Sequence, residues 1–282
     1  MRLYAVSLLF LPMLATHAYA DSILQTAAAF AVLGGSAVTN TGPSTIDGNL
    51  GVFPGTSITG AGSIVLSGTM DLGGAVAQQA QSDLAIAYNG LAAMPVTDVL
   101  TGQDLGGLTL APGVYEFNSS AQLTGILTLD AEGNDDAGWV FLIGTTLTTA
   151  SSSSVNFIDL GSNPNDTLFW NVGSSATLGT GTAFAGNILS SQSITLGTGA
   201  TIDCGRVLAQ AGAVTMDSNT VSTGCEGTGL QSTDGLSGGN DSPVPEPGSA
   251  VLMSAGVLVL AGATRRKLRS GFRRVESNGV PR

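Results

Sequence analysis

The sequence predicts a mainly β protein, an irregular three-sided β-solenoid with one long α-helix packed alongside. Three observations predict it. "SATLGTG" at 175–181 returns as "SITLGTG" at 193–199, and Thr39 to Asp47 matches Thr195 to Asp203 without a gap, Thr45 falling on Thr201 and Ile46 on Ile202. Residues after Leu100 are rich in Thr, Val, Ile, Leu and Gly at alternating positions, the composition and period of strands. The apolar anchors Leu123, Leu147, Leu178, Leu196 and Met216 recur at spacings of 18 to 31 residues, and about 18 to 20 residues make one turn of a three-sided coil.

From the N-terminus, residues 1–20 join Arg2, the apolar run Leu3 to Leu14 and the tripeptide Ala18-Tyr19-Ala20, the pattern of a secretory signal peptide. A buried first helix is the other reading, for which the run is short. The solenoid domain is assigned to 21–225. Within it, "AVAQQAQSDLAIAYNGLAAM" (75–94) sets Val76, Ala80, Leu84, Tyr88 and Leu91 three or four apart and then meets Pro95. That spacing predicts an amphipathic helix whose apolar stripe lies along one wall. Insertions at 131–138 and 160–166 are expected at corners, where Gly and Asn supply the backbone angles. Trp139 and Trp170, beside Val140 and Phe169, are expected in the core or against the helix.

From 226 to 247 large apolar residues give way to Gly, Ser, Asp and Pro, which reads as a flexible linker. Val244-Pro245-Glu246-Pro247 then precedes an apolar stretch from Gly248 to Thr264 and the cluster Arg265, Arg266, Lys267. The segment 248–282 with this motif resembles the PEP-CTERM sorting signal of Gram-negative bacteria. The resemblance implies a transient membrane anchor, cut near the Pro-Glu-Pro by a sorting protease, with the body secreted to the extracellular space or attached at the cell surface. A permanent single span is the other reading.

Charge narrows the functional classes. The formal net charge is −11; Arg2 lies in the signal and seven of the nine basic residues lie from Arg265 onward, leaving Arg206 alone in the body beside nineteen of twenty acids. No nucleic acid is expected as a partner, since binding it demands basic patches. Solenoids also host polysaccharide lyases and hydrolases. With one arginine, and no histidine once His17 leaves with the signal, the body lacks a base with charge-neutralising partners, so no catalytic residue and no cofactor is assigned. Asp130, Glu132, Asp135 and Asp136 have the composition of a weak calcium site, but they fall in an inserted corner and read as solvated; no metal is assigned. Asp47 and Asp203, at equal places in two turns, read as corner hydrogen-bonders. Cys204 and Cys225 are an even pair in the exported part, predicting a disulfide that staples the last turn.

The threonines form columns. A strand sends alternate side chains to opposite faces. If each anchor points inward, the residues one before it point outward: Gln122, Thr146, Thr177, Thr195 and Thr215, with Thr39 in the N-terminal copy. Three before lie Ser120, Gly144, Ser175, Ser193 and Ala213, with Ala37; two before, facing in, lie Ala121, Thr145, Ala176, Ile194 and Val214. The wall is flat and uncharged, with turns about 4.8 Å apart and same-face residues about 6.7 Å apart. Ice is a ligand of that periodicity, and a stiff threonine offers a methyl and a hydroxyl with few rotamers to lose. Such ladders also serve stability alone, so an extracellular matrix or adhesion scaffold is the alternative.

Five stretches carry a closer resemblance: "AAAFAVLGGSAVTNTGPSTIDGNLGVFPGT", "AQSDLAIAYNGLA", "LTGQDLGGLTLAPGVYEFNSSAQLTGILTLDAEG", "WVFLIGTTLTTASSSSV" and "FWNVGSSATLGTGTAFAGNILSSQSITLGTGATIDCGRVLAQAGAVTMDSNTV". They are similar to the microbial ice-binding proteins of bacteria, diatoms and snow-mould fungi, in order and over about residues 22 to 224. The resemblance implies a right-handed solenoid of triangular cross-section, a helix beside it, the N-terminal turn stacked next to the C-terminal one, and a monomer whose partner is an ice crystal surface. Family members use one flat face with a Thr-Ala/Gly-x-Thr/Asn pattern; here it reads Ser36-Ala37-Val38-Thr39 and Gly212-Ala213-Val214-Thr215, departing at the first threonine. The expected ice-binding residues are Ser36, Ala37, Thr39, Thr146, Ser175, Thr177, Ser193, Thr195, Ala213 and Thr215, with Gln122 a bulky end to the face.

Overall fold

Short runs rich in valine, isoleucine, leucine and threonine, broken by glycine, serine and asparagine, make the strands of this chain. In the computed structural model, which describes residues 23–162 and 166–225, the protein is mainly β with one long helix, and each strand pairing is parallel. A parallel neighbour cannot be reached by a tight hairpin. Here the chain returns to the same ladder only after contributing strands to others, which is why the apolar anchors recur so far apart in sequence.

One ladder is a seven-stranded sheet in the order Ala121–Leu123, Leu147–Thr149, Ala176–Leu178, Ile194–Leu196, Val214–Asp217, Ala37–Thr41 and Ser57–Thr59. The other fifteen strands form a branched sheet with two further ladders. One, the helix-side ladder, runs through Gly113–Phe117, Gly138–Ile143 and Thr167–Val172 to Phe30–Gly34 and Asn49–Val52. The third runs through Ile126–Asp130 and Ser154–Ile158 to Thr220–Ser222 and Ser44–Asp47. The long strands Ala183–Ser190 and Thr201–Ala209 belong to both, each bending part-way. Gly186 stands at one bend with φ +86, where an added Cβ would lie 2.4 Å from the Leu168 side chain, so both its conformation and its space call for glycine.

Strand order departs from sequence order at one place. Val38 pairs with Val214 and Ile46 with Val221, so the N-terminal turn lies directly against the C-terminal one. Beyond it lies the turn containing Ser57–Thr59, Ile64–Leu66 and Met70–Leu72. The helix Ala75–Ala92 then separates that turn from the strands at the opposite end of the ladders, which begin with Asp98–Val99.

The helix ends two residues short of the expected 94. Its stripe is also rotated. Ala77, Ala80, Leu84, Ala87 and Leu91 are buried against Phe30, Leu33, Val140, Phe169, Leu189 and Leu208, whereas Val76, expected in the stripe, is 59% exposed and Tyr88 is half-buried. Alanines at three of these five positions bring the helix backbone close to the sheet, and a larger stripe would hold it off. Asp83 shares the buried side. Its carboxylate accepts hydrogen bonds from the Thr26 N–H, the Thr26 hydroxyl and Gln79 Nε2, joining the helix to the short 3-10 turn Gln25–Ala29.

Between the ladders, alternate side chains fill a second core. Trp139 and Trp170 are fully buried there and donate to the carbonyls of Leu110 and Ala185, while Val140 and Phe169 face the helix. Phe141 stacks on Trp170 with ring centroids 4.1 Å apart. The insertion at 131–138 lies where expected, between the third-ladder strand Ile126–Asp130 and the helix-side strand Gly138–Ile143, while residues 163–165 of the second lie outside the described residues. Cys204 and Cys225 form the expected disulfide.

Leu84→Ala removes a fully buried side chain from the helix interface. It should destabilise the protein by about 3 kcal/mol in equilibrium urea unfolding, with the seven-stranded ladder unchanged in the amide spectrum of the folded variant.

Candidate functional site

The seven-stranded ladder presents two outward columns. Register sets Gln122, Thr148, Thr177, Thr195, Thr215, Thr39 and Thr59 side by side, one residue per strand. By the alternation of the strand, the residues two earlier make the second column: Ser120, Thr146, Ser175, Ser193, Ala213, Ala37 and Ser57. Between the columns, Ala121, Leu147, Ala176, Ile194, Val214 and Val38 point inward and are buried. The helix packs on another ladder, so nothing among the described residues covers these columns. No charged side chain interrupts either. The central threonines, Thr195, Thr215 and Thr39, are half-buried between their neighbours, while Thr148, Thr177 and Thr59 are exposed.

The six threonine hydroxyls of the first column make no hydrogen bond to the protein among the described residues. Other threonines do: Thr198 bonds Asp217 at 2.6 Å, Thr149 bonds Thr182 at 2.8 Å, and Thr97 and Thr101 accept backbone N–H bonds. In the second column the Ser175 hydroxyl accepts from the Ser193 N–H at 3.3 Å. The first column thus keeps its donors and acceptors for whatever lies outside the protein.

Of the residues expected from sequence, the structure brings Ala37, Thr39, Ser175, Thr177, Ser193, Thr195, Ala213 and Thr215 together as the alternation requires. Thr146 is corrected. It lies in the serine and alanine column, and Thr148 takes the place expected of it, because Leu147 pairs with Ala121 and Ala176 rather than with Leu123 and Leu178. Thr145 is accordingly exposed, not inward. The inward anchor of that turn is Thr149, 3% exposed, whose hydroxyl is satisfied by Thr182 and by the Gly179 N–H at 2.9 Å. A buried polar group with its partners met is tolerated where an unmet one is not. Ser36 stands outside the strand, exposed at the corner before Ala37, its N–H bonded to the Gly212 carbonyl. Thr59 and Ser57 were missed, although Ser57-Ile58-Thr59 repeats Ser193-Ile194-Thr195 residue for residue.

At one end of the face, Gln122 bridges to Asp104. Asp47 accepts from the hydroxyls of Ser67 and Ser222, as a corner hydrogen-bonder should. Glu132, Asp135 and Asp136 are exposed in their corner, and no group of three metal-ligating side chains gathers among the described residues. Beside that corner, Asp166 is fully buried; its Oδ1 accepts from the Ala137 N–H at 2.7 Å and its Oδ2 has no partner among the described residues. Desolvation, then the charges of Asp136 and Asp135, outweigh that bond and push its pKa up from 3.8 to about 6.

The ice-binding-like family model matches residues 32–222. The chain belongs to the ice-binding-like family. It is 53% identical over 252 residues to an ice-binding protein of Nostoc sp. (strain HG1), covering 89% of each chain. Over 222 residues it is 35% identical to an ice-binding protein of Colwellia sp, 72% of this chain and 84% of that one. A crystal structure of an ice-binding protein from an Antarctic biological consortium superposes with a TM-score of 0.67 at 43% identity, covering 72% of this chain and 91% of the other. That of the Antarctic ascomycete Antarctomyces psychrotrophicus also gives 0.67, at 38% identity and 72% and 98% coverage. The family match spans the seven strands of the face from Ala37 to Asp217.

Because the folded-state pKa of Asp166 is raised, its contribution to stability is fully present below about pH 4 and is lost as pH rises through 6. Asp166→Asn keeps an acceptor for Ala137 and carries no charge. Guanidinium midpoints between pH 4 and 7.5 should fall less with rising pH in this variant than in the parent.

Proposed function

We propose that the protein is secreted and adsorbs to ice through the seven-stranded face, inhibiting crystal growth or recrystallisation. The observation that carries this reading is the run of six threonine hydroxyls, free of protein partners among the described residues, in one uncharged column of an uncovered ladder. The names of its relatives support it, and none favours a matrix or adhesion scaffold.

Adjacent threonines are about 4.8 Å apart and the two columns about 6.7 Å apart. Six rungs therefore span about 24 Å. Each threonine keeps one favoured rotamer set on a strand, so little side-chain entropy is lost when water orders against it. The methyls bury apolar surface against the crystal, while the hydroxyls hold first-layer water in positions that merge with the lattice. A molecule so adsorbed pins the advancing front, and the crystal must bulge between pinned points. This needs neither a catalytic residue nor a cofactor.

The same reading takes the three ladders as the walls of a right-handed solenoid of triangular cross-section, visited in the same order by successive turns. The folded domain is taken as 21–225, acting as a monomer; the family match to residue 222 supports that boundary. The signal peptide at 1–20, the linker at 226–247 and the sorting segment at 248–282 lie outside the described residues. Their sequence supports export from a Gram-negative cell and a transient anchor processed by a sorting protease. The Cys204–Cys225 bond suits an oxidising compartment.

Thr195→Tyr and Thr215→Tyr should each lose about tenfold or more of ice-growth inhibition, equivalent to at least about 1.4 kcal/mol, at unchanged folding. Thr201→Tyr, on the third ladder, should keep it. Faceted crystals in Thr195→Tyr solutions, growing as slowly as with the parent protein, would remove the face from the mechanism. Gln122→Thr should lengthen the column from six rungs to seven and raise activity in the same assay.

A further inference from the structure

A crevice of about 300 Å³ opens between the last turns of the helix and the ladder it covers, lined by Tyr88, Ala92, Glu116, Leu142, Gly144 and Asn171 among others. That is the lower end of the size range of small-ligand sites. Register places Glu116, Leu142 and Asn171 side by side on the outward face of three adjacent strands. Asn171 is 4% exposed; its Nδ2 donates to the Tyr88 carbonyl at 3.0 Å, and its Oδ1 is buried with no partner among the described residues. Turning the amide over would set oxygen against the Tyr88 carbonyl, so that contact fixes Oδ1 as the unmet end.

The side-chain donors here are engaged, Asn118 Nδ2 with the Thr101 hydroxyl at 3.3 Å and Asn171 Nδ2 with Tyr88, and the groups left over are acceptors. Tyr88 donates its proton to the Val172 carbonyl at 3.3 Å, leaving the oxygen lone pairs free, and burial pushes its pKa up, so it stays neutral. Glu116 has no basic neighbour. Arg206, the one basic residue among those described, lies four strands away on the same ladder, about 19 Å. Leu142 and Ala92 supply hydrocarbon walls.

The geometry points to a binding site for a small organic ammonium ion, its nitrogen donating to Asn171 Oδ1 and the Glu116 carboxylate and its alkyl chain lying along Leu142 and Ala92. Glu116 and Asn171 are two strands apart, about 9.6 Å between backbones. One ammonium making two bonds of about 2.8 Å spans about 5.6 Å of that gap, and binding requires the two side chains to lean together by the remaining distance of about 4 Å. A water could meet Oδ1 but would leave Glu116 without a counter-charge. The site is separate from the threonine columns, and its occupancy does not depend on their role.

The test is a titration of the folded protein with n-butylammonium chloride, followed by amide chemical shifts, with potassium chloride and 1-butanol as controls. Saturable shifts at residues 116, 142–144 and 171–173 are expected with butylammonium alone, weakened about tenfold or more in Glu116→Gln. Glu116 is half-buried and its carboxylate makes no hydrogen bond among the described residues, so that variant tests binding even where Asn171→Leu disturbs the helix. Shifts matched by potassium chloride would mean counter-ion screening, shifts matched by 1-butanol an apolar crevice, and no saturable shift a water-filled one. Each of these, or unchanged affinity in Glu116→Gln, overturns the proposal.

Discussion

Parallel backbone hydrogen bonds set Val214 opposite both Ile194 and Val38, so the side chains of three turns distant in sequence point the same way. The spacing of that ladder is a property of the peptide group, about 4.8 Å, and does not depend on which side chains it carries. A surface periodic enough to match a crystal can therefore be written by choosing one residue type at every turn. The same register makes errors costly, because a slip of one residue would turn the threonines inward and the apolar residues out. Val38, Ile194 and Val214, fully buried between the columns, hold the ladder against such a slip.

That regularity has to be kept dry on one side and bare on another. Leucine and phenylalanine on the outward face of the helix-side ladder, among them Phe30, Leu33, Phe169, Leu189 and Leu208, demand a cover, and the helix supplies it. Burying each such side chain contributes about 1.5 to 3 kcal/mol. The threonine ladder offers no comparable outward surface, so the helix gains little by lying there. The sequence of outward residues on each ladder thus decides which one is covered. The helix is held in that place by Asp83 and Thr26 at its middle, and by Asn171 on the Tyr88 carbonyl nearer its C-terminus.

Much of this was legible without coordinates, and the failures have physical causes. The match of Thr39 to Asp47 with Thr195 to Asp203 correctly put both segments on the same ladders; the structure sets the 214–222 turn between them. Thr146 falls in the other column because Leu147 stands in register with Ala121 and not with Leu123, a two-residue shift that anchor spacing does not reveal. Composition offers no warning that Thr149 points inward, since its burial depends on Thr182, a corner residue thirty-three positions on. Val76 was misplaced because three- and four-residue spacing fits more than one stripe when alanine is common, and only the facing sheet selects among them. Nothing in sequence marked Asn171 or Glu116, whose meeting rests on strand register and on where the helix stops.

The two columns of the face differ in how far the scaffold uses them. In the serine and alanine column, Ser175 spends its hydroxyl on a ladder N–H, and an added Cβ on Gly212 would come within 2.3 Å of Ser193 Oγ, so space and hydrogen bonds there are partly taken up by the corner. The threonine column has neither constraint, and its hydroxyls could have been replaced by valine without leaving any protein group unmet. A residue chosen only to stabilise a strand would as readily be valine or isoleucine, which share the stiffness and bury more apolar surface. Threonine at six consecutive rungs keeps that stiffness while adding a hydroxyl the protein itself does not use, so the reason for the hydroxyl has to lie in the solvent.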